Sequence, residues 1–271
     1  MTPDSTDLPL IWNTTQEASA FDPSHWFEYC ERISGRSTPV VPSLAIQTVI
    51  PAHFQLVCDR YGVRPDNFTL ADHPFAVFEH DGVSLVIALS AKGSYAAGGL
   101  DELIALGAKT IIFLGGSGAI SDKVDVDDMF IPTKALRDEC VSLHYMPPSR
   151  YAYPSEMLTN ALMETSAAQH RPVKSGPAWT IMAHFRQAIP RLRAFRDEGC
   201  LVVNNEASSA FAVGHARNVD VAALLNVGDT LASEQFVIPP DHAQLYQAED
   251  AAQQLNIAIS TLVRLGKMAG R

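Results

Sequence analysis

One stretch of the sequence decides the fold, and it reads SAKGSYAAGGLDELIALGAKTIIFLGGSGAI from Ser90 to Ile120. Between Tyr95 and Leu106 the apolar residues fall at near-helical spacing, and Gly107 follows where a helix would end. The apolar runs Val83–Ser90 and Thr110–Gly115 flank this pattern and have the length of buried strands. The stretch therefore predicts a strand, a helix and a second strand, which is the building unit of an α/β protein.

The same alternation continues on both sides of this unit. Strands are predicted near Leu44–Ile50, Val83–Ser90, Thr110–Gly115, Met129–Lys134, Cys200–Asn204 and Val221–Val227. Helices are predicted near His53–Tyr61, Tyr95–Leu106, Glu156–Gln169, Ala207–Ala216 and Ala243–Leu265. Strands that alternate with helices favour a largely parallel sheet.

The chain has no Gly/Ser linker, charge run or internal repeat that would divide it, which favours one domain over two. Residues 1–43 carry Pro, Ser and Thr between scattered aromatic residues and show no sustained period, so we expect an N-terminal extension. Residues 44–271 then form the domain.

Composition excludes several functional classes. With 20 Lys and Arg against 30 Asp and Glu, the 271 residues carry a formal charge of −10, which argues against a nucleic-acid or anionic-membrane surface. The four cysteines are scattered, so neither a zinc site nor a disulfide scaffold is expected. No apolar run approaches the length of a membrane span and the N-terminus lacks a signal-peptide pattern, so we expect a cytoplasmic protein.

Polar residues follow three of the predicted strands. Gly115-Gly116-Ser117-Gly118 is a turn whose amides could line a ligand pocket, although it matches neither a dinucleotide fingerprint nor a P-loop. Glu206 stands between a strand and a helix, and Asp229 follows the strand Val221–Val227. Each carboxylate alone has a structural alternative, namely a charge complementing a helix dipole for Glu206 and a turn or N-cap for Asp229. Together they suit hydroxyl binding by one and proton donation by the other.

The histidines give weaker signals. His53, His144 and His184 each stand where a structural role is the commoner one, and no pair has metal-ligand spacing. We therefore expect no metal and no cofactor. A serine nucleophile is unsupported because the sequence has no GxSxG elbow.

Three stretches resemble the nucleoside phosphorylase and nucleosidase superfamily, which includes uridine phosphorylase, purine nucleoside phosphorylase and methylthioadenosine nucleosidase. They are Ser90–Ile120, Phe130–Ser155 and Cys200–Glu234, and the resemblance extends over roughly Leu44 to Leu265. It implies a three-layer α/β/α domain around a mixed, partly closed sheet. It also implies homo-oligomers (dimers, trimers or hexamers) and cleavage of an N-glycosidic bond with phosphate or water as acceptor.

By this resemblance, the family's Glu-Met-Glu motif falls on Asn204-Asn205-Glu206, so Glu206 matches the glutamate that binds the ribose hydroxyls, while Asn204 and Asn205 are changed. Asp229 is similar to the aspartate that protonates the leaving base in purine-specific members. Gly115, Gly116 and Ser117 match the pocket turn.

The phosphate-binding positions of the family differ in this chain. Arginines of the family are replaced by Phe113, by His53 and, near the position contributed by a neighbouring subunit, by Pro74. Because each charge-assisted hydrogen bond to phosphate contributes roughly 1.5–3 kcal/mol, losing three weakens phosphate binding by orders of magnitude. In the hydrolytic branch the position of His53 carries the water-activating glutamate, so His53 is a candidate base, with a packed or capping residue as the alternative.

In the base-binding segment, Thr180–Ala183 replaces a more polar pattern, and Phe185 and Arg186 are candidate partners for a ring. The resemblance thus implies an enzyme that cleaves a nucleoside-like small molecule, with water favoured over phosphate as acceptor. Glu206 would orient the sugar, Asp229 would assist the leaving group and His53 would lie near the acceptor. The alternative is a repurposed family member that binds a small molecule or catalyses a different reaction in the same cleft.

Overall fold

A computed structural model describes residue 15 and residues 17–68, 73–93, 95–238 and 248–270. Its helices are α1 (Pro23–Ser34), α2 (Pro51–Tyr61), α3 (Tyr95–Ala105), α4 (Glu156–Ala168), α5 (Ile189–Asp197), α6 (Ala207–Arg217) and α7 (Ala248–Ala269). Its strands are β1 (Leu44–Thr48), β2 (Phe75–His80), β3 (Val83–Leu89), β4 (Thr110–Ala119), β5 (Met129–Asp138), β6 (Tyr151–Ala152), β7 (Lys174–Ile181), β8 (Val202–Asn204) and β9 (Asp220–Thr230). A 3₁₀ turn spans Val141–His144.

The strands form one mixed sheet in the order β2-β3-β1-β4-β8-β7-β5-β6. Strand β9 pairs in parallel with β4 and antiparallel with β5, so β4, β8, β7, β5 and β9 close into a ring. Strands β3, β1, β4 and β9 run parallel, whereas β2 and β8 are antiparallel to β3 and β4. The mixed, partly closed sheet implied by the resemblance is confirmed, and the strand-helix rhythm alone overstated the parallel share.

Helices cover both faces of the sheet, which gives the three layers. One buried cluster joins α1, α3 and α6 to the sheet through Phe27, Leu100 and Phe211. The opposite cluster joins α2, α4 and α7 through residues that include Val57 and Leu162. Because sheet residues alternate between the two clusters, both faces of the sheet are buried, as expected for an α/β core.

The helix boundaries follow local chemistry. Proline occupies the first turn of α2, where its missing N–H costs nothing, and Gly62 ends the helix in the left-handed conformation. Helix α4 is capped by Ser155, whose hydroxyl accepts from the N–H of Leu158. These caps fix the ends of helices that the apolar pattern locates only approximately.

Several elements differ from the sequence-based expectations. The predicted extension contains α1, and its Phe27 lies in the same buried cluster as Leu100. Strands β2, β6 and β7 and helix α5 were not predicted. Residues 243–247 of the predicted final helix, and Trp12 in the extension, lie outside the described residues.

Two further features are the length of the helices and the state of the cysteines. None of the helices within the described ranges is both long and apolar enough to cross a membrane. All four cysteines are free thiols.

Candidate active site

A cavity of about 770 Å³ opens where β3, β4, β7, β8 and β9 end. Its polar wall includes Lys92, Ser117, His184, Gln187, Glu206 and Asp229. Its apolar wall includes Val49, Met182, Phe185, Val203, Leu231 and Phe236. Such a cavity, mostly apolar with a few convergent polar groups, is typical of a small-molecule site.

Glu206 is buried at the junction of β8 and α6. Its carboxylate Oε1 accepts a hydrogen bond of 2.9 Å from the N–H of Gly93, which comes from the loop after β3. Burial raises the pKa of Glu206, while the Gly93 hydrogen bond and the charge of Lys92 oppose that rise. One carboxylate oxygen is thus fixed by the protein, and the group lines the cavity where it can accept hydroxyls from a ligand.

Gly93 itself is required by this arrangement. Its φ of +74° lies in the left-handed region, and a β-carbon there would stand 3.1 Å from Cε of Met182. A larger residue would shift the N–H that holds Glu206.

Asn204 supports the start of α6. Its Oδ1 accepts from the N–H groups of Glu206 and Ala207 at 3.0 and 2.8 Å and from the hydroxyl of Thr180 at 3.2 Å. Its amide nitrogen donates to the carbonyl of Trp179. Although Asn204 lines the cavity, its side chain is committed to positioning Glu206.

Asn205 holds the end of β7. Its Nδ2 donates to the carbonyl of Ile181 at 2.5 Å, and its Oδ1 lies 3.3 Å from Nδ1 of His184. Asn205 therefore fixes the orientation of a histidine in the cavity wall.

Asp229 lies near the end of β9. Burial raises its pKa to about 6, and the charge of His184 opposes that rise. A carboxyl group with this pKa keeps its proton to a higher pH than an ordinary aspartate, so it can donate a proton to a leaving group. The structure brings Asp229 and Glu206 to the same cavity, as the sequence predicted.

The pocket turn contributes only in part. Gly116, Ser117 and Gly118 line the cavity, and the Ser117 hydroxyl donates to the carbonyl of Asn226 at 3.2 Å. Gly115 is not part of the cavity wall. A β-carbon on it would meet the ring of Phe113, and its carbonyl accepts from Gln254 at 3.0 Å.

The structure does not bring His53 to the cavity. The side chain is fully buried on α2, and its Nδ1 lies 2.7 Å from the hydroxyl of Thr48. Burial lowers the pKa of His53 to about 4, so the ring is neutral at physiological pH. His53 therefore does not lie near the acceptor, as the sequence analysis expected. It lies on the inward face of α2 with Phe54 and Val57.

Of the two residues predicted to contact the ring of the base, one lies in the cavity wall and the other does not. Phe185 lines the cavity mouth with 94% of its surface exposed, whereas Arg186 is exposed and is not part of the wall. Lys92, His184 and Gln187 were missed as wall residues. His184 and Gln187 follow the unpredicted strand β7, and recognising that strand would have revealed them. No cluster of three metal-ligating side chains occurs within the described ranges.

Comparison with known proteins places this geometry in a family. A guanosine phosphorylase of Halorubrum lacusprofundi is 23% identical over 189 residues, which cover 69% of this chain and 78% of the relative. The structure of purine nucleoside phosphorylase from Toxoplasma gondii in complex with immucillin-H superposes with a TM-score of 0.74 at 16% identity, covering 86% of this chain and 95% of the other. The AMP nucleosidase of Bacteroides thetaiotaomicron superposes with a TM-score of 0.70 at 19% identity, covering 90% of this chain and 97% of the other.

These structural likenesses establish the fold. The family model described as Phosphorylase superfamily matches residues 43–264, which include every wall residue named above. With that match over most of its length, the chain belongs to the phosphorylase superfamily.

Proposed function

We propose that this protein cleaves the N-glycosidic bond of a nucleoside-like substrate, with water rather than phosphate as the acceptor. The observation that carries the proposal is the pair of carboxyl groups in one cavity, the buried Glu206 and the half-buried Asp229, the second with a pKa of about 6. Two carboxyl groups in unlike environments can divide binding and proton donation between them.

The reaction needs little else from the protein. Glu206, held by Gly93, accepts hydrogen bonds from the sugar hydroxyls and stabilises the positive charge that develops on the sugar. Asp229 donates its proton to the leaving base as the bond from C1′ to nitrogen breaks. Water adds to C1′ and loses a proton to solvent, which gives the free sugar and the free base.

The choice of water rests on the charges of the cavity wall. Within the described residues, Lys92 is the one Lys or Arg side chain in the wall. Phe113 is fully buried in the core, His53 is fully buried and neutral, and Pro74 is not part of the wall. A phosphate dianion needs several fixed cationic donors, which this wall does not supply.

The test is release of free base from a panel of purine and pyrimidine nucleosides, measured by chromatography with and without phosphate. We expect release without phosphate from at least one nucleoside. Strict phosphate dependence would contradict the water acceptor and leave bond cleavage standing.

A second candidate function is a repurposed site that binds a small molecule or supports a different reaction. The amides of Asn204 and Asn205 favour it, because both are engaged with the protein rather than presented to a sugar. Absence of base release across the whole panel, together with saturable binding of a nucleoside, would favour this candidate.

Assembly and location complete the proposal. Phe185, Ile189, Phe236 and Val237 are exposed apolar residues, two of them in the cavity wall, and a second copy could cover them. We therefore propose a homo-oligomer, a dimer, trimer or hexamer, which light scattering would test.

The free thiols suit the cytoplasm, where we propose that the protein acts.

A further inference from the structure

A glutamine of the last helix is buried beside the two strands that carry the pocket turn and Asp229. Gln254 belongs to α7, and its side chain is fully buried, as are those of Leu255 and Ala258 on the same helix. Burying an amide is unfavourable unless its polar atoms form hydrogen bonds. The place of Gln254 in the core therefore depends on its partners.

The partners of Gln254 are backbone carbonyl groups of both strands. Its Nε2 donates to the carbonyl of Gly115 on β4 at 3.0 Å and to the carbonyl of Leu224 on β9 at 2.6 Å. Because a carbonyl oxygen only accepts hydrogen bonds, the amide nitrogen must be the atom that faces both, and each of its two hydrogens serves one strand. A single side chain thus ties β4 to β9.

The tie lies just before the irregularity that shapes the site. Beyond Gly115, the pairing of β4 with β9 shifts in register between Ser117 and Gly118, and this shift brings Gly118 opposite Asp229. A register shift disrupts the ladder of hydrogen bonds locally, so the strands are less firmly held there. The hydrogen bonds of Gln254 restrain the strands next to that point.

The environment of Asp229 depends on how closely the two strands are held. The carboxyl group is half-buried against Gly118, which has no side chain to displace it, and burial raises the pKa of Asp229 to about 6. If β4 and β9 separated, water would reach the carboxylate and lower its pKa toward the ordinary value of 3.8. The tie therefore affects Asp229 through the strands.

We propose that Gln254 is a positioning residue, which holds β4 and β9 together through the carbonyls of Gly115 and Leu224 and so keeps Asp229 where it can protonate the leaving group. Gln254 itself is not part of the cavity wall. This inference rests on the proposed function for the role of Asp229. A purely structural glutamine would affect stability and leave the proton donor unchanged.

The test is the pH profile of kcat in Gln254→Met, which keeps the length of the side chain and removes both donors. We expect the fall in rate with rising pH to occur about one pH unit lower than in the wild type, so that kcat above pH 6 drops about tenfold. KM should change less than about threefold, because Glu206 is held by Gly93 from a different loop.

Thr261→Val is the matched control for lost stability. Thr261 is also fully buried on α7, and its hydroxyl donates to the carbonyl of Ile257 at 2.8 Å within the helix. The control should melt earlier and keep the wild-type pH profile and KM. If Gln254→Met did not fold, Gln254→Glu would replace it. The glutamate has at most one donor and should move the pH profile in the same direction.

Melting curves test the inference without turnover. At pH 8, Asp229→Asn should raise the melting temperature in the Gln254→Met background by less than about half as much as in the wild type, because the carboxylate there is already better solvated. An equal rise in both backgrounds, or a wild-type pH profile in the Gln254 variant, would overturn the inference. If the wild type released no base, the proposed function would fail, and the melting comparison alone would decide the role of Gln254.

Discussion

Gly118 on β4 faces Asp229 on β9 so closely that a β-carbon at Gly118 would overlap carboxylate oxygen Oδ1 of Asp229. The two strands pair in parallel, and a register shift between Ser117 and Gly118 brings Gly118 opposite Asp229. The glycine therefore provides the space in which the proposed proton donor is held.

We expect Gly118→Ala to lower kcat/KM by about 100-fold or more, because even a displacement of about 1 Å at a catalytic group has an effect of that size. The measurement is base release together with a melting curve. Gly98→Ala is the matched control, since a β-carbon there meets no atom within 4 Å. Because Gly98 lies within α3, the alanine should raise the melting temperature slightly and leave kcat/KM unchanged. Equal activity of both variants would contradict the role of Gly118.

Asp229→Asn is expected to lower kcat more than it raises KM, because proton donation acts in the transition state. In the wild-type protein only protonated Asp229 donates, so the rate should fall as the pH rises through about 6. The variant should lose this dependence. The measurement is a pH series of kcat for both proteins.

Stability supplies an independent check on the same residue. The folded-state pKa of about 6 lies above the ordinary value of 3.8, so ionising Asp229 destabilises the fold as the pH rises between these values. Asp229→Asn should therefore melt higher than the wild type at pH 8 and equally at pH 4. An equal melting temperature at pH 8 would show that burial does not raise this pKa.

Glu206→Gln is expected to remove most activity and preserve the fold. The amide oxygen can still accept from the N–H of Gly93, but a neutral group binds hydroxyls and a cationic sugar less strongly than a carboxylate. Glu164→Gln on α4 is the control, because Glu164 is 65% exposed and pairs with Arg264. If Glu206→Gln melted early and kept its turnover per folded molecule, Glu206 would be a structural residue only.

The sequence predicted helices and strands correctly where buried apolar residues recur at a regular spacing. The pattern of Tyr95–Leu106 is nearly that of α3, and the end of β8 correctly located Glu206 in the cavity. Strand β7 was missed because its first half is not buried and contains Gly176 and Pro177, so it lacks an apolar run. Without that strand, the turn that carries His184 had no defined position.

Helix α1 was missed and His53 was misplaced because each residue was considered without its neighbours at helical spacing. The signals for α1 were present, since Asp22, Pro23 and Gly35 mark a cap, a first turn and a stop, but no apolar period drew attention to them. Similarly, His53 is four residues before Val57, and that helical spacing indicates a buried face rather than a cavity wall.

We expect His53→Leu to lower stability and to leave kcat per folded molecule unchanged. The substitution removes the 2.7 Å hydrogen bond to Thr48 from a fully buried place, which costs about 1–3 kcal/mol. Since burial lowers the pKa of His53 to about 4, the unfolded chain binds the extra proton between that value and 6.5, and the wild type should lose stability as the pH falls through this range. The variant should lose this component. A large loss of kcat without a change in melting temperature would return His53 to the mechanism.

Phosphate should neither stabilise the protein nor accelerate base release, because the wall presents Lys92 where a dianion needs several cationic donors. A ligand at 100 times its dissociation constant adds about 2.7 kcal/mol, enough to raise the melting temperature of a domain of this size by several degrees. The measurement is a melting series in phosphate, with sulfate at matched ionic strength as the control. A saturable shift specific to phosphate, accompanied by phosphate-dependent turnover, would contradict the water acceptor, and its loss in Lys92→Gln would identify the residue that holds the anion.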